Sequence, residues 1–145
     1  MLPALNEIAG EQAKPTTNTL TKLDNLLMYA STKQDAVIRF RASKMILSVD
    51  SDASYLVLPN TRSRIAGYFH LSDSKSTLVN APIHITCKTL KNVVSSATET
   101  ETGGLFVNGQ ETINIRNIVI ALNQPQHPTP LKTDNSTSNG FVHKK

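Results

Sequence analysis

Met45-Ile46-Leu47-Ser48-Val49-Asp50-Ser51-Asp52-Ala53-Ser54-Tyr55 is a strand-like apolar run interrupted by two acids. Side chains on a strand alternate between faces, so Asp50 and Asp52 share one. One of them is a candidate ligand and the other a neighbour or an edge residue; solvated acids at a strand end are the plainer alternative. Two more acids lie in suggestive settings. Glu101 falls in the helical pattern Ser95-Ser96-Ala97-Thr98-Glu99-Thr100-Glu101, and Asp134 follows Leu131-Lys132-Thr133. Carboxylates are rarely buried without partners. Three that converged on one sheet would repel one another unless a cation sat between them. Such a hard-metal site is suited to phosphodiester hydrolysis.

Outward from that run, the chain reads as one α+β arrangement. Residues 1–16 look irregular, broken by Pro3, Gly10 and Pro15. A helix follows, with Leu20, Leu23, Leu27 and Ala30 at helical spacing, Leu26 beside them, and Thr16 or Thr17 as its cap. Ala36-Val37-Ile38-Arg39-Phe40 reads as a strand, joined by the short 41–44 segment to the strand carrying Asp52. The turn Pro59-Asn60-Thr61-Arg62-Ser63-Arg64 leads to strand Ile65–Leu71. A polar loop over 73–80 leads to strand Pro82–Leu90. The connections are too short for helical crossovers, so these strands are expected to be antiparallel.

A long helix is predicted over 96–122. Ser96-Ala97-Thr98-Glu99 forms a capping box at its start, the glutamate reaching back to the cap amide. Glu99 and Glu101 point about 200° apart on such a helix. The stripe Val94, Ala97, Glu101, Leu105, Asn108, Thr112, Ile115, Val119, Leu122 puts Glu101 rather than Glu99 toward the sheet, although a lone glutamate there is by default a helix-edge residue reaching solvent. Gly103-Gly104 would let the helix approach the sheet closely, and Gly109 marks a kink or break. Pro125, Pro128 and Pro130 make a stiff link to a last strand, Leu131–Asp134. Asn135 or Ser136 then caps a helix over 136–143, although Asp134 itself is also a candidate cap.

Composition sets the outer bounds. The chain has 145 residues, 39% hydrophobic and 18% charged, with a net charge of +4. The charge is compatible with a polyanionic partner, but no dense Lys/Arg block occurs. Arg62 and Arg64 are candidate phosphate contacts on the hairpin, against a plainer reading as solvated loop charge. No apolar stretch approaches the roughly 20 residues of a membrane helix, and the N-terminus lacks the pattern of a secretory signal. The single cysteine, Cys87, excludes an internal disulfide framework, fits a reducing compartment and has no base beside it in sequence. No His or Cys pair has zinc-ligand spacing. The GxxxxGK[ST], GxGxxG and GxSxG motifs are absent.

Ser51-Asp52-Ala53-Ser54-Tyr55, Arg62–Phe69, Val94–Glu101 and Thr133-Asp134-Asn135-Ser136, taken in order and spacing, resemble the ribonuclease H region of copia-type retrotransposon polyproteins. The segment from Gln12 to Phe40 resembles the tail of the preceding reverse transcriptase. The resemblance spans nearly the whole chain. It implies residues 1–34 as the reverse transcriptase tail, a connecting helix. Residues 35–145 become a ribonuclease H-like domain, incomplete at its C-terminal end.

The implied fold is a mixed sheet, three antiparallel strands first, with helices packed on it. The implied activity is hydrolysis of the RNA strand of an RNA–DNA hybrid with two Mg²⁺ or Mn²⁺ ions. Asp52, Glu101 and Asp134 match the first three catalytic acids; Asp52 would bridge both ions. Glu101 would also meet the ribose 2′-OH that separates RNA from DNA. Asn135, Arg62 and Arg64 are the expected nucleic-acid contacts. The implied partners are the hybrid and the reverse transcriptase portion of the same polyprotein. The implied location is a cytoplasmic retrotransposon particle, with the nucleus as a second site.

This sequence departs from the family at Thr102 and Gly103-Gly104, where bulkier residues and better helix formers are usual. The family's fourth acid lies on a later helix, which this chain does not reach. The polymerase's own paired-aspartate motif is also missing. Two alternatives therefore stand beside the hydrolase: a non-catalytic remnant that binds nucleic acid or a polyprotein partner, and another nuclease or integrase on the same fold.

Overall fold

A computed structural model describes residues 1–73 and 79–135. The chain divides into two compact units, Met1–Ile38 and Arg39–Lys145.

The first unit is a helical pair, α1 (Leu2–Glu11) and α2 (Thr17–Ser31). The expectation of an irregular start is wrong. Pro3 sits in the first turn, where its missing N–H costs nothing, and Gly10 lies at the far end. Thr16 caps α2 by accepting from the Thr19 amide, while the Thr19 hydroxyl returns to the Thr16 amide. Lys22 Nζ bridges Glu7 and Glu11 at 2.7 and 2.6 Å, and the Thr19 hydroxyl donates to Glu11 at 2.6 Å. Lys22 and Thr19 hold the Glu11 carboxyl below its ordinary pKa. The expected leucine stripe is rotated: Leu23, Leu26 and Ala30 are half-buried, whereas Leu20 and Leu27 are exposed.

The second unit is a mixed four-stranded sheet with one long helix. Its strands are β1 (Ile46–Leu58), β2 (Arg62–Ser72), β3 (Pro82–Thr89) and β4 (Leu131–Lys132), in the order β3-β2-β1-β4. β1–β2 and β2–β3 are antiparallel; β1–β4 is parallel. The sequence's antiparallel expectation holds for β1, β2 and β3. The expected strand at 36–40 does not form: Val37, Ile38 and Phe40 are exposed and have no ladder partner. β-branched residues favour a pleated surface only where a neighbouring strand receives them.

Arg62 and Arg64 lie within β2 rather than on the hairpin loop, which is the short 3-10 turn Pro59–Thr61. The β1–β2 register shifts between Ser54 and Leu58. There Leu56 takes φ 52° and its amide donates to Ser63 Oγ at 3.1 Å, as a bulge allows.

α3 (Ala97–Ala121) packs on β1 and β2 and runs through Gly109 without the expected break. Ser96 Oγ accepts from the Glu99 amide at 3.1 Å. The return bond differs from the expected box: Glu99 Oε2 accepts from the Ser95 amide and hydroxyl, at 2.7 and 2.8 Å. The core centres on Leu47, Val49 and Phe69, with Leu71, Ile115 and Leu131 packed against them.

After α3, Gln126 stands in for a strand residue against the edge of β1. Its Oε1 accepts from the Leu47 amide at 2.9 Å and its Nε2 donates to the Met45 carbonyl at 2.8 Å. Arg116 holds the Gln126 carbonyl at 2.9 Å. The Val49 amide then donates to the Pro130 carbonyl at 3.1 Å, and β4 begins. The expected helix over 136–143 lies outside the described residues.

Candidate metal centre

Three supports bring three carboxylates to one place. Asp52 is on β1, opposite Ala66 of β2. Glu101 is the fifth residue of α3. Asp134 lies two residues beyond β4, which is shorter than the strand expected over 131–134. One oxygen from each lies within 4.8 Å of the other two. The structure thus joins the three acids that the sequence singled out, across 82 residues of chain from Asp52 to Asp134.

Asp52 and Asp134 are exposed, while Glu101 is buried, 7% exposed. Glu101 Oε1 accepts from the Ala53 amide at 3.3 Å. Its Oε2 is buried, and among the described residues no donor reaches it with hydrogen-bond geometry. Burial pushes the Glu101 pKa up, and the charges of Asp52 and Asp134 add to the rise. The Ala53 amide and, more weakly, the Thr133 hydroxyl act against it. A buried carboxylate with one oxygen lacking a donor, beside two further carboxylates, is an arrangement that a hard cation would satisfy.

The spacing fits such an ion. Bonds of about 2.1 Å, as for Mg²⁺, let two oxygens lie at most about 4.2 Å apart across one ion. A spread of up to 4.8 Å therefore closes with a small rotamer adjustment, or accommodates two bridged ions about 3.5–4 Å apart without one. The all-oxygen donor set favours Mg²⁺, Mn²⁺ or Ca²⁺ over zinc.

Asp50, the alternative acid on the same face of β1, has other partners. Its carboxylate lies 3.3 Å from His70 Nε2 and 3.9 Å from Lys132 Nζ. His70 is buried, and burial lowers its pKa despite the neighbouring Asp50 charge. Sequence reasoning missed this pair because nothing in the order of residues 50 and 70 announces the cross-strand contact.

The expected nucleic-acid contacts are less uniform. Arg62 Nη1 donates to the Lys91 carbonyl. Arg64 is half-buried, and its Nε has no hydrogen-bond partner among the described residues. The Asn135 amide donates to Thr133 Oγ1 at 3.2 Å, within the segment that carries Asp134.

No helix among the described residues is long and apolar enough to cross a membrane. Comparison with known protein families, with curated proteins and with solved structures finds no match for the chain.

Proposed function

We propose that residues 35–145 form a ribonuclease H-type endonuclease domain that hydrolyses the RNA strand of RNA–DNA hybrids with two Mg²⁺ or Mn²⁺ ions. On this reading residues 1–34 are the end of a reverse transcriptase in a copia-type polyprotein. The observation that carries the reading is the buried, donorless Glu101 Oε2 beside Asp52 and Asp134. A mixed sheet whose first three strands are antiparallel, followed by a helix and a parallel edge strand, agrees with it.

The roles are those that the resemblance assigns to these residues. By the resemblance, Asp52, exposed on β1, would help hold both ions. Glu101 and Asp134 each hold one flank. Glu101, held by the Ala53 amide, would help hold the ions and could contact the ribose 2′-OH. Bound ions would lower the pKa of the attacking water and offset charge on the leaving 3′ oxygen. Asn135, Arg62 and Arg64 supply contacts to the sugar–phosphate backbone.

The test is a 5′-labelled RNA–DNA hybrid incubated with the purified chain and Mg²⁺. The expected outcome is cleavage of the RNA strand. Asp52→Asn should lower the rate by at least about a hundredfold, the upper range for losing even an outer-shell partner of a metal site. Undiminished cleavage by that variant would refute the assignment. Metal and hybrid binding without cleavage would favour a non-catalytic remnant, and preferential cutting of duplex DNA would favour another nuclease of the same fold.

A further inference from the structure

The sheet-facing side of α3 near the carboxylates offers little to register the helix by shape. Beyond Glu101 its buried residues as far as Thr112 are Gly104, Asn108 and Thr112; the apolar contact of Ile115 with the Leu47, Val49 and Phe69 core comes farther along the helix. Even a Cβ added at Gly104 would meet Ala53, Ile65 and Ser51 only at 3.5–3.6 Å, ordinary van der Waals range. Over that stretch a small-residue surface resists sliding or rolling weakly, because no large buried side chain interlocks there.

Asn108 supplies directional bonds where shape does not. Its side chain is 0% exposed. Nδ2 donates to Ser51 Oγ at 2.9 Å and to the Ala66 carbonyl at 2.8 Å. Oδ1 accepts from the Thr86 hydroxyl at 2.9 Å. Ser51 immediately precedes Asp52, and Ala66 is the cross-strand partner of Asp52. One amide therefore grips both sides of the Asp52 position. Asn108 is seven residues after Glu101, close to two full turns, so the two side chains share one helix face. Room for this amide exists because β2 has Gly67 beneath it.

We propose that Asn108 is a positioning residue for the metal centre: its amide sets the axial register of α3 on β1 and β2 and so places Glu101 against Asp52. This inference rests on the metal reading of the carboxylate trio. The bond to Ser51 is the decisive one, since it ties the helix to the strand that carries Asp52. The bond from Thr86 ties the same amide to β3, away from the carboxylates.

Mn²⁺ titration of the full chain, followed by electron paramagnetic resonance, tests the idea with three variants. Ser51→Ala and Thr86→Val each remove one hydrogen bond from the same amide. Ser51→Ala should weaken Mn²⁺ binding by about tenfold, in the range of outer-shell losses, while Thr86→Val should stay within about twofold. Asn108→Leu, where melting curves show it folded, should lose at least as much as Ser51→Ala.

Two results would overturn the inference. One is a loss of affinity that merely tracks each variant's drop in melting temperature, alike for Ser51→Ala and Thr86→Val. The other is a folded Asn108→Leu chain that binds Mn²⁺ as the unaltered chain does. Should Asn108→Leu not fold, the Ser51 and Thr86 comparison decides alone. Failure of the unaltered chain to bind Mn²⁺ would sink the metal reading, and this inference with it.

Discussion

Glu101 is held in an environment that disfavours its own charge. Burial and the two neighbouring carboxylates raise its pKa in the folded chain above the ordinary value of 4.5. A raised carboxyl pKa means that the folded state binds the proton more tightly than the unfolded state does. The contribution to stability is then greatest below pH 4.5 and is lost as pH climbs through the folded-state value. In EDTA, the chain should therefore lose stability from this group as pH rises above 4.5. Glu101→Gln should flatten that slope and raise the melting temperature at pH 7. The same substitution should remove the stabilisation that added Mn²⁺ gives the unaltered chain. Thermal melts over pH 4–8, with and without Mn²⁺, read out all three effects. A variant that melts lower than the parent at pH 7 in EDTA would contradict this account of the site.

The contact between β2 and α3 shows how closely two elements can meet when one residue lacks a side chain. A Cβ on Gly67 would lie 2.6 Å from Thr86 Oγ1 and closer still to Asn108 Oδ1. Gly67→Ala should therefore destabilise by about 2 kcal/mol, the usual scale of overpacking, and more if the buried amide loses its partners. Chemical denaturation measures it; a neutral result would mean that α3 shifts freely away from the sheet.

Much of this element was legible beforehand. The Ser96 cap and the middle of the stripe, Glu101, Asn108, Thr112 and Val119, are local signals that the structure follows, whereas the stripe's ends, Ala97 and Leu122, are exposed and β1 buries Leu47, Ser48 and Val49 in succession. The close approach was also anticipated, but at Gly103-Gly104 rather than at Gly67, because a glycine inside a strand does not say which side chain comes down on it. The strand expected at 36–40 failed for a related reason: its residues have the propensity, and no neighbour receives them. The helix at 2–11 was hidden by reading Pro3 and Gly10 as breakers without weighing their places at its two ends. The acids themselves were legible one by one. Their meeting was legible only through the resemblance, because it depends on β4 lying parallel beside β1, a long-range pairing without a local signature.

At the scale of the molecule, the chain splits into units of unequal content. All three acids belong to Arg39–Lys145. The first unit is a two-helix hairpin of the length at which isolated helices are marginal in water. Expressed alone, residues 39–145 should keep Mn²⁺ affinity within about twofold of the full chain, as expected for sites without shared partners. Calorimetric titration of both forms would check this, and a large loss would mean that the first unit supports the centre.

The acids do not rest on equally firm ground. Asp52 sits in a thirteen-residue strand and Glu101 on a twenty-five-residue helix, whereas Asp134 is delivered by a ladder of two residues. So brief a ladder belongs to the weak end of the range of local stabilities and frays while the rest of the sheet stays intact. The apparent grip on an ion is thus discounted by the fraction of time this hem is undone. The reverse also holds: an ion captured by all three acids stitches the hem shut. Seating the edge and loading the site then become two descriptions of one equilibrium, and anything that clamps the segment 131–135 tightens the hold on metal without touching it.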